Sequence, residues 1–284
     1  MADAVMIDAK LQAAIEAGVA GALAEDIGDG DITAELIPRG RIANAVILTR
    51  EAAVVCGIPW VAAVFAAIDP AVALDWQVRE GDDIARDQQL CTLTGNARAL
   101  LTGERTALNF LQTLSGTATA ARAYARLAKD TGVCVLDTRK TIPGLRLAQK
   151  YAVRIGGCQN HRMGLYDAFL IKENHIAACG GIGAAVRRAR AIAPDRMVEV
   201  EVETLAELRE ALAARADRVM LDNFTTDAIV EATALTRSAG VEVEVSGNID
   251  ADNLAHYARS GVDFVSSGAI TKHCRAIDYS LRLL

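Results

Sequence analysis

From residue 130 onward, six short apolar runs recur between segments of helical period: VCVLD from Val133, AFLIK from Ala168, MVEVEVE from Met197, RVMLD from Arg218, VEVEVS from Val241 and VDFVSSG from Val262. This alternation is the signature of repeated strand–helix units and a parallel sheet. Two intervening segments read clearly as amphipathic helices, 205–216 and 225–240. The second has a Thr to cap its start and a Gly at its end, where a left-handed residue is wanted. Six units favour a closed or nearly closed α/β barrel, although counting alone leaves an open doubly wound sheet available.

Before residue 130 the texture changes. An Ala-rich helix is expected from Asp8 to Ala24, then the loop EDIGDGDIT, then β-like segments around 45–56 and 74–94. With 284 residues in all, the chain is long enough for a barrel plus a separate layer. The acidic loop does not suit calcium, because a register starting at Asp26 puts Ile37 where the bidentate Glu belongs; a turn with a helix cap is expected. The segment VREGDDIARDQQLCTL resembles the turns of biotinyl-like β domains but offers no lysine at a hairpin tip, so it reads as scaffold.

Several classes are disfavoured. Residues 1–10 lack a basic start followed by an apolar stretch, and no segment has the charge-free length of a membrane span, so a cytoplasmic location without membrane contact is expected. The six cysteines include no CxxC pair, which suits reduced, buried thiols rather than disulfides or zinc. A net charge of -6 argues against nucleic acid. The glycines at 180, 181 and 183 fall short of a dinucleotide fingerprint, since Val186 occupies the third position. Between Asp137 and Lys172, however, seven basic residues face two acids, so this stretch is +5 and the rest is -11. A local cationic patch on an acidic chain points to small anionic ligands.

Strand parity places Glu199, Glu201 and Glu203 on one face of their run, with Glu242, Glu244 and Ser246 sharing a face of theirs. Carboxylates seldom enter a barrel lumen for packing alone, because burying one costs several kcal/mol unless it is paired. Polar residues also gather where the runs end: Arg139 and Lys140, Lys172, Glu201, Asp222, Ser246 with Gly247, and Ser267 with Gly268. Barrel enzymes build their sites at those ends. A solvated strand end explains any one of them, but not six together. Arg139, Arg162, Lys172 and His161 supply what a dicarboxylate needs. The SGN and SSG segments read as a phosphate clamp, and Glu201 with Asp222 could hold Mg2+ through water.

The motifs ERTALNFLQTLSGTAT, DTRKTIPGLR, KYAVRIGGCQNHRMGLYDAFLIKENH, VEVETLAE, VMLDNF, EVSGNI and GVDFVSSGAIT closely resemble the quinolinate phosphoribosyltransferases, with similarity running from EDIGDGDIT to the last strand. The resemblance implies an α/β protein: an N-terminal α/β sandwich domain over residues 1–116, an incomplete (open) seven-stranded α/β barrel over 117–271, and a tail, 272–284, returning to the first domain. It implies conversion of quinolinate and phosphoribosyl pyrophosphate to nicotinate mononucleotide, pyrophosphate and CO2 in de novo NAD biosynthesis, with Mg2+ as cofactor. Lys140, Lys172, Glu201 and Asp222 carry over as catalytic. Arg105, Arg139, His161, Arg162 and Lys172 carry over as the quinolinate pocket, with Thr138 also binding substrate and Lys140 close to both substrates. Ser246, Gly247, Asn248, Ser267 and Gly268 would take the 5′-phosphate, and Glu201 with Asp222 the ribose and Mg2+. A homodimer or larger homo-oligomer is expected, each site being completed by the partner subunit's Arg105.

Other readings compete. Nicotinate phosphoribosyltransferases share the chemistry but recognise one carboxylate fewer, and a molybdenum-transport-associated paralogue shares much of the pattern. Lys172 at a strand end also suits a Schiff-base aldolase, and a non-catalytic sensor of phosphorylated ligands would keep the same fold.

Overall fold

Residues 6–284 are described by the structure, a computed structural model; residues 1–5, the start of the stretch read for a leader, lie outside the described residues. Helix α1 (Ala9–Ile27) is capped by Asp8, whose Oδ1 accepts the Leu11 N–H at 2.8 Å, and it buries Ile15, Val19 and Leu23 at four-residue spacing. It runs three residues past the expected end because nothing interrupts it before Gly28. In the acidic loop Asp31 does turn chemistry: Oδ1 accepts the Thr33 and Ala34 N–H groups, and Oδ2 accepts the Thr102 hydroxyl.

Then come β1 (Ile42–Thr49), β2 (Ala53–Val54), α2 (Ile58–Ile68), β3 (Ala73–Trp76), β4 (Asp83–Ile84), β5 (Gln89–Asn96) and the long α3 (Ala97–Leu127). The sequence reading did not separate out α2, for a physical reason. Its cap is not local: the Glu80 carboxylate accepts the Gly57 and Ile58 N–H groups at 2.7 and 3.1 Å from across the fold. The chain continues through β6 (Cys134–Leu136), α4 (Arg146–Gly156), β7 (Phe169–Ile171), α5 (Glu173–Cys179), α6 (Ile182–Ile192), β8 (Val198–Val202), α7 (Leu205–Ala213), β9 (Arg218–Asp222), α8 (Thr226–Ala239), β10 (Glu242–Ser246), α9 (Leu254–Tyr257), β11 (Phe264–Ser266), α10 (Ala269–Lys272) and β12 (Tyr279–Leu283). Helix α8 has the expected Thr225 cap and a left-handed Gly240. Helix α7 stops before residue 216, closed by Arg215 at φ 60°.

The residues form two compact units. The first holds the described residues up to Arg122, together with Ile142–Gly157 and His273–Leu284. Its antiparallel sheet runs β12-β1-β5-β3, so the chain's last strand pairs with its first, Leu281 opposite Ile47. Trp60, Phe65, Leu90, Leu93, Leu108 and Leu111 are fully buried in its core, each contributing roughly 1.5–3 kcal/mol. Segment 142–157, expected within the barrel, belongs to this unit: Tyr151 of α4 stacks obliquely on Trp60, ring centroids 5.4 Å apart.

The second unit, Ala123–Thr141 with Cys158–Lys272, carries a parallel sheet in the order β6-β11-β10-β9-β8-β7. These six strands are the six runs read from the sequence. A parallel bridge of Gln159 to Leu136 extends the β6 edge, where the seventh strand implied by the resemblance is reduced to one residue pair. The sheet is open, with no pairing between β6 and β7 among the described residues. Val198, Val200, Val202, Val219, Leu221, Val243 and Val245 line one face, all essentially fully buried. The other face carries Glu199, Glu201, Arg218, Met220, Asp222, Glu244 and Ser246, and the register sets Glu201 beside Met220 and Met220 beside Glu244.

Candidate active site

Arg139, Arg162, Lys172 and Arg188 line one cavity of about 420 Å3 in the second unit, among apolar residues that include Leu165, Leu170, Ile171 and Ile192. Arg162 rides on a loop fastened by the fully buried Asp137. One Asp137 oxygen accepts the His161 N–H at 2.9 Å and the other the Asn160 side-chain amide at 2.7 Å. The Arg162 guanidinium donates to the Ala168 carbonyl at 3.2 Å, and burial together with the Arg139 charge lowers its pKa. Lys172 follows β7 immediately. Its backbone N–H donates to His175 Nδ1 at 3.0 Å, and its ammonium is ion-paired with Glu201 on the neighbouring strand. Sequence reasoning missed Asp137 and His175, although Asp137 follows an apolar strand just as Asp222 does.

Thr138, Lys140 and Gly268 form a second group. The Thr138 hydroxyl accepts the Lys140 N–H at 3.0 Å, and a Cβ on Gly268 would sit 2.8 Å from Lys140 Cδ. The Thr271 hydroxyl donates to the Lys140 carbonyl at 2.8 Å, tying α10 to this loop. Ser267 is tied into its own turn. Its hydroxyl donates to the Ile249 carbonyl at 2.5 Å and its N–H to the Leu136 carbonyl at 3.0 Å, bonds that hold the turn.

Asp222 ends β9 on the same face as Glu201, and Asn223 donates to it at 3.0 Å. Gly247 closes against this pair: at φ 110°, a Cβ there would fall 2.6 Å from Asn223 Oδ1 and 3.2 Å from Asp222 Oδ1. The left-handed Asn248 continues the turn. Glu201 and Asp222 fit a magnesium ion by donor chemistry, since magnesium takes one or two carboxylates and fills its shell with water and substrate oxygens.

Deeper on the same face lie Glu199 and Glu244, both with no exposed surface. His161 Nε2 is 3.0 Å from Glu199 and 3.5 Å from Glu244, while Nδ1 accepts the Arg162 N–H at 2.7 Å. Burial drives the Glu199 carboxyl up to about 7 despite Arg218; burial and the Glu199 charge drive Glu244 up to about 8. Arg218 stacks on Phe264 at 3.8 Å and reaches Glu242 at 2.8 Å and Glu244 at 3.6 Å. Glu203 and Glu242 are exposed, outside this layer.

The cationic stretch is divided between the two units. Arg139, Lys140, Arg162 and Lys172 belong to the second unit, whereas Arg146, Lys150 and Arg154 are on α4 of the first, with Lys150 fully buried. Arg105 is an exposed residue of α3 in the first unit, 4.0 Å from Glu104.

An open parallel α/β sheet with cations, carboxylates and glycine turns gathered at its carboxyl ends defines an α/β-barrel enzyme acting on small anions. The family model described as Quinolinate phosphoribosyl transferase, C-terminal domain, matches residues 117–282, and that of the N-terminal domain matches 31–115. The chain belongs to the quinolinate phosphoribosyl transferase family. It is 40% identical over 265 residues to a Synechocystis protein described as probable nicotinate-nucleotide pyrophosphorylase (carboxylating), covering 92% of this chain and 90% of that one. A Bacillus subtilis protein of the same description is 41% identical, covering 90% and 89%. The solved structure of nicotinate-nucleotide pyrophosphorylase from Francisella tularensis superposes with a TM-score of 0.93 at 47% identity, covering 96% of each chain.

Proposed function

We propose that this chain transfers a phosphoribosyl group to quinolinate and releases CO2, forming nicotinate mononucleotide in de novo NAD biosynthesis. The observation that carries this reading is the convergence of Arg139, Arg162 and Lys172 on one cavity. Forked guanidinium groups and an ammonium suit two adjacent carboxylates on a planar ring, and the apolar lining suits the ring itself. The similar proteins named as carboxylating enzymes support the same chemistry.

In this scheme Arg139 and Arg162 grip the carboxylates while Lys172 exchanges part of its pairing with Glu201 for the substrate. The partner subunit's Arg105 completes the pocket, which makes a homodimer the working unit. Lys140 faces the pyrophosphate side, and the Ser246–Asn248 turn with the Gly268 amide cradles the 5′-phosphate. Glu201 and Asp222 hold Mg2+, which when bound neutralises charge on the departing pyrophosphate. The pyridine nitrogen then bonds to the ribose C1 as the bond from C1 to the pyrophosphate oxygen breaks, its electron pair leaving with pyrophosphate. Positioning supplies much of the rate. The new pyridinium accepts the electron pair left at C2 when the adjacent carboxylate departs as CO2, and a proton taken up at C2 completes nicotinate mononucleotide. The substrate is its own electron sink, so no further organic cofactor is needed.

A cytosolic setting agrees with six free cysteines, and no helix among the described residues is long and apolar enough to cross a membrane. The test is product analysis with phosphoribosyl pyrophosphate and Mg2+ plus either quinolinate or nicotinate. Nicotinate mononucleotide from quinolinate alone is expected. Product from nicotinate alone would transfer the reading to a nicotinate phosphoribosyltransferase, and no product from either would favour the paralogue or a sensor.

A further inference from the structure

His161, Glu199 and Glu244 stand out because two carboxylates without exposed surface face one imidazole inside the second unit. One candidate atom from each residue lies within 4.8 Å of the others, an arrangement that could suggest a metal site. The hydrogen bonding of the imidazole decides against it. A backbone N–H can only donate, so the 2.7 Å bond from Arg162 N–H requires a lone pair on His161 Nδ1. The ring proton of the neutral imidazole must then sit on Nε2, the atom facing the carboxylates. A metal on Nε2 would need lone pairs on both ring nitrogens, hence an imidazolate. Metal-bound histidines ordinarily show the reverse, donating through their second nitrogen. Arg218, 3.6 Å from Glu244, already brings a cation to this layer.

We propose that Glu199 and Glu244 are positioning residues of the dicarboxylate pocket: they hold His161 as its Nε2–H tautomer, so that Nδ1 accepts the Arg162 N–H and fixes the loop that aims the Arg162 guanidinium. This rests on the function proposed above only in naming the ligand. The chain of contacts is continuous. Glu199 and Glu244 stand on β8 and β10 of the rigid sheet, His161 spans from them to the Arg162 backbone, and Asp137 fastens the same loop through His161 N–H and Asn160. The side chain of His161 is 6% exposed; its Nδ1 accepts the Arg162 N–H, and its Nε2 faces both buried carboxylates at ion-pair distance without hydrogen-bond geometry to either. In this arrangement it orients the cations of the pocket. Purely apolar residues at 199 and 244 would pack the lumen but could not choose the tautomer.

The experiment joins two readouts. In 15N-labelled wild-type protein, long-range 1H–15N spectra should show His161 as the neutral Nε2–H tautomer, unchanged by added Mg2+ or Zn2+. In steady-state kinetics, Glu199→Met should raise KM for quinolinate about tenfold, the scale of one hydrogen bond to a charged group, with KM for phosphoribosyl pyrophosphate held. Glu199→Gln, which keeps an acceptor oxygen, should restore most of the loss. An Nδ1–H or doubly protonated ring, or His161 signals displaced by metal, overturns the proposal, as does an unaltered KM in Glu199→Met. The tautomer reading requires neither turnover nor a mutant that folds. Wild-type protein inert toward quinolinate with His161 in the Nε2–H form would refute the proposed function and leave this inference standing.

Discussion

Lys172, at the end of β7, is ion-paired with Glu201 on β8, so the cation expected to hold substrate is paired with the acid expected to serve the metal. Under the proposed function, this pair would couple the two halves of the reaction. A carboxylate arriving at Lys172 would weaken its hold on Glu201, leaving that oxygen better able to take a cation beside the pyrophosphate.

Lys172→Ala should therefore lower kcat/KM for quinolinate by about a hundredfold, the scale of losing one preorganised electrostatic group. The far-UV circular dichroism should stay unchanged, since the ammonium is part-exposed. Turnover near the wild-type value, with Lys172→Ala shown to be folded, would remove this residue from the site.

A shared site predicts complementation. Arg105→Ala and Lys172→Ala subunits, each nearly inactive alone, should recover about a quarter of wild-type activity when reassorted in equal amounts, because half the dimers are mixed and each carries one intact site. No recovery in a verified heterodimer would contradict the partner subunit's Arg105 as a pocket residue.

The Glu199 and Glu244 pair predicts a pH signature in stability. Both carboxyls have a raised pKa in the folded chain, about 7 and about 8, chiefly through burial. Their contribution is thus fully present below the unfolded value near 4.5 and is lost as pH rises through 7 to 8. The melting temperature should fall across that window, and Glu244→Gln, with no proton to lose, should flatten the fall. An identical slope in Glu244→Gln would show that other groups produce it.

Gly247→Ala should impair handling of phosphoribosyl pyrophosphate. The residue sits at φ 110°, and a Cβ would meet Asn223 Oδ1 at 2.6 Å. Strain of roughly 1–3 kcal/mol is expected, with KM for phosphoribosyl pyrophosphate rising more than KM for quinolinate. Equal effects on both constants would point to general loosening instead of a local clash beside Asp222.

The second unit was largely legible because its strands carry two messages at once. Val198, Val200 and Val202 mark the helix-facing side, and the intervening Glu199 and Glu201 mark the lumen. The first unit was less so: α2 takes its cap from Glu80, far along the chain, and α3 is rich in Ser, Thr and Gly, with Gly103 and Gly116 set where close neighbours leave no room for a side chain. Composition grouped Arg146, Lys150 and Arg154 with the pocket cations, but α4 carries them in the first unit. Ser267 and His161 were recognised by residue type as ligands. The groups set against them, the Ile249 carbonyl, the Arg162 N–H and two buried acids, come from separate elements that spacing could not bring together.

The most direct test follows the carbon. With quinolinate labelled in its 2-carboxylate, the purified protein should release one labelled CO2 for each pyrophosphate formed, and none when phosphoribosyl pyrophosphate is withheld. Pyrophosphate released without labelled CO2, or CO2 evolved without phosphoribosyl pyrophosphate, would contradict a decarboxylation driven by N-ribosylation of the ring.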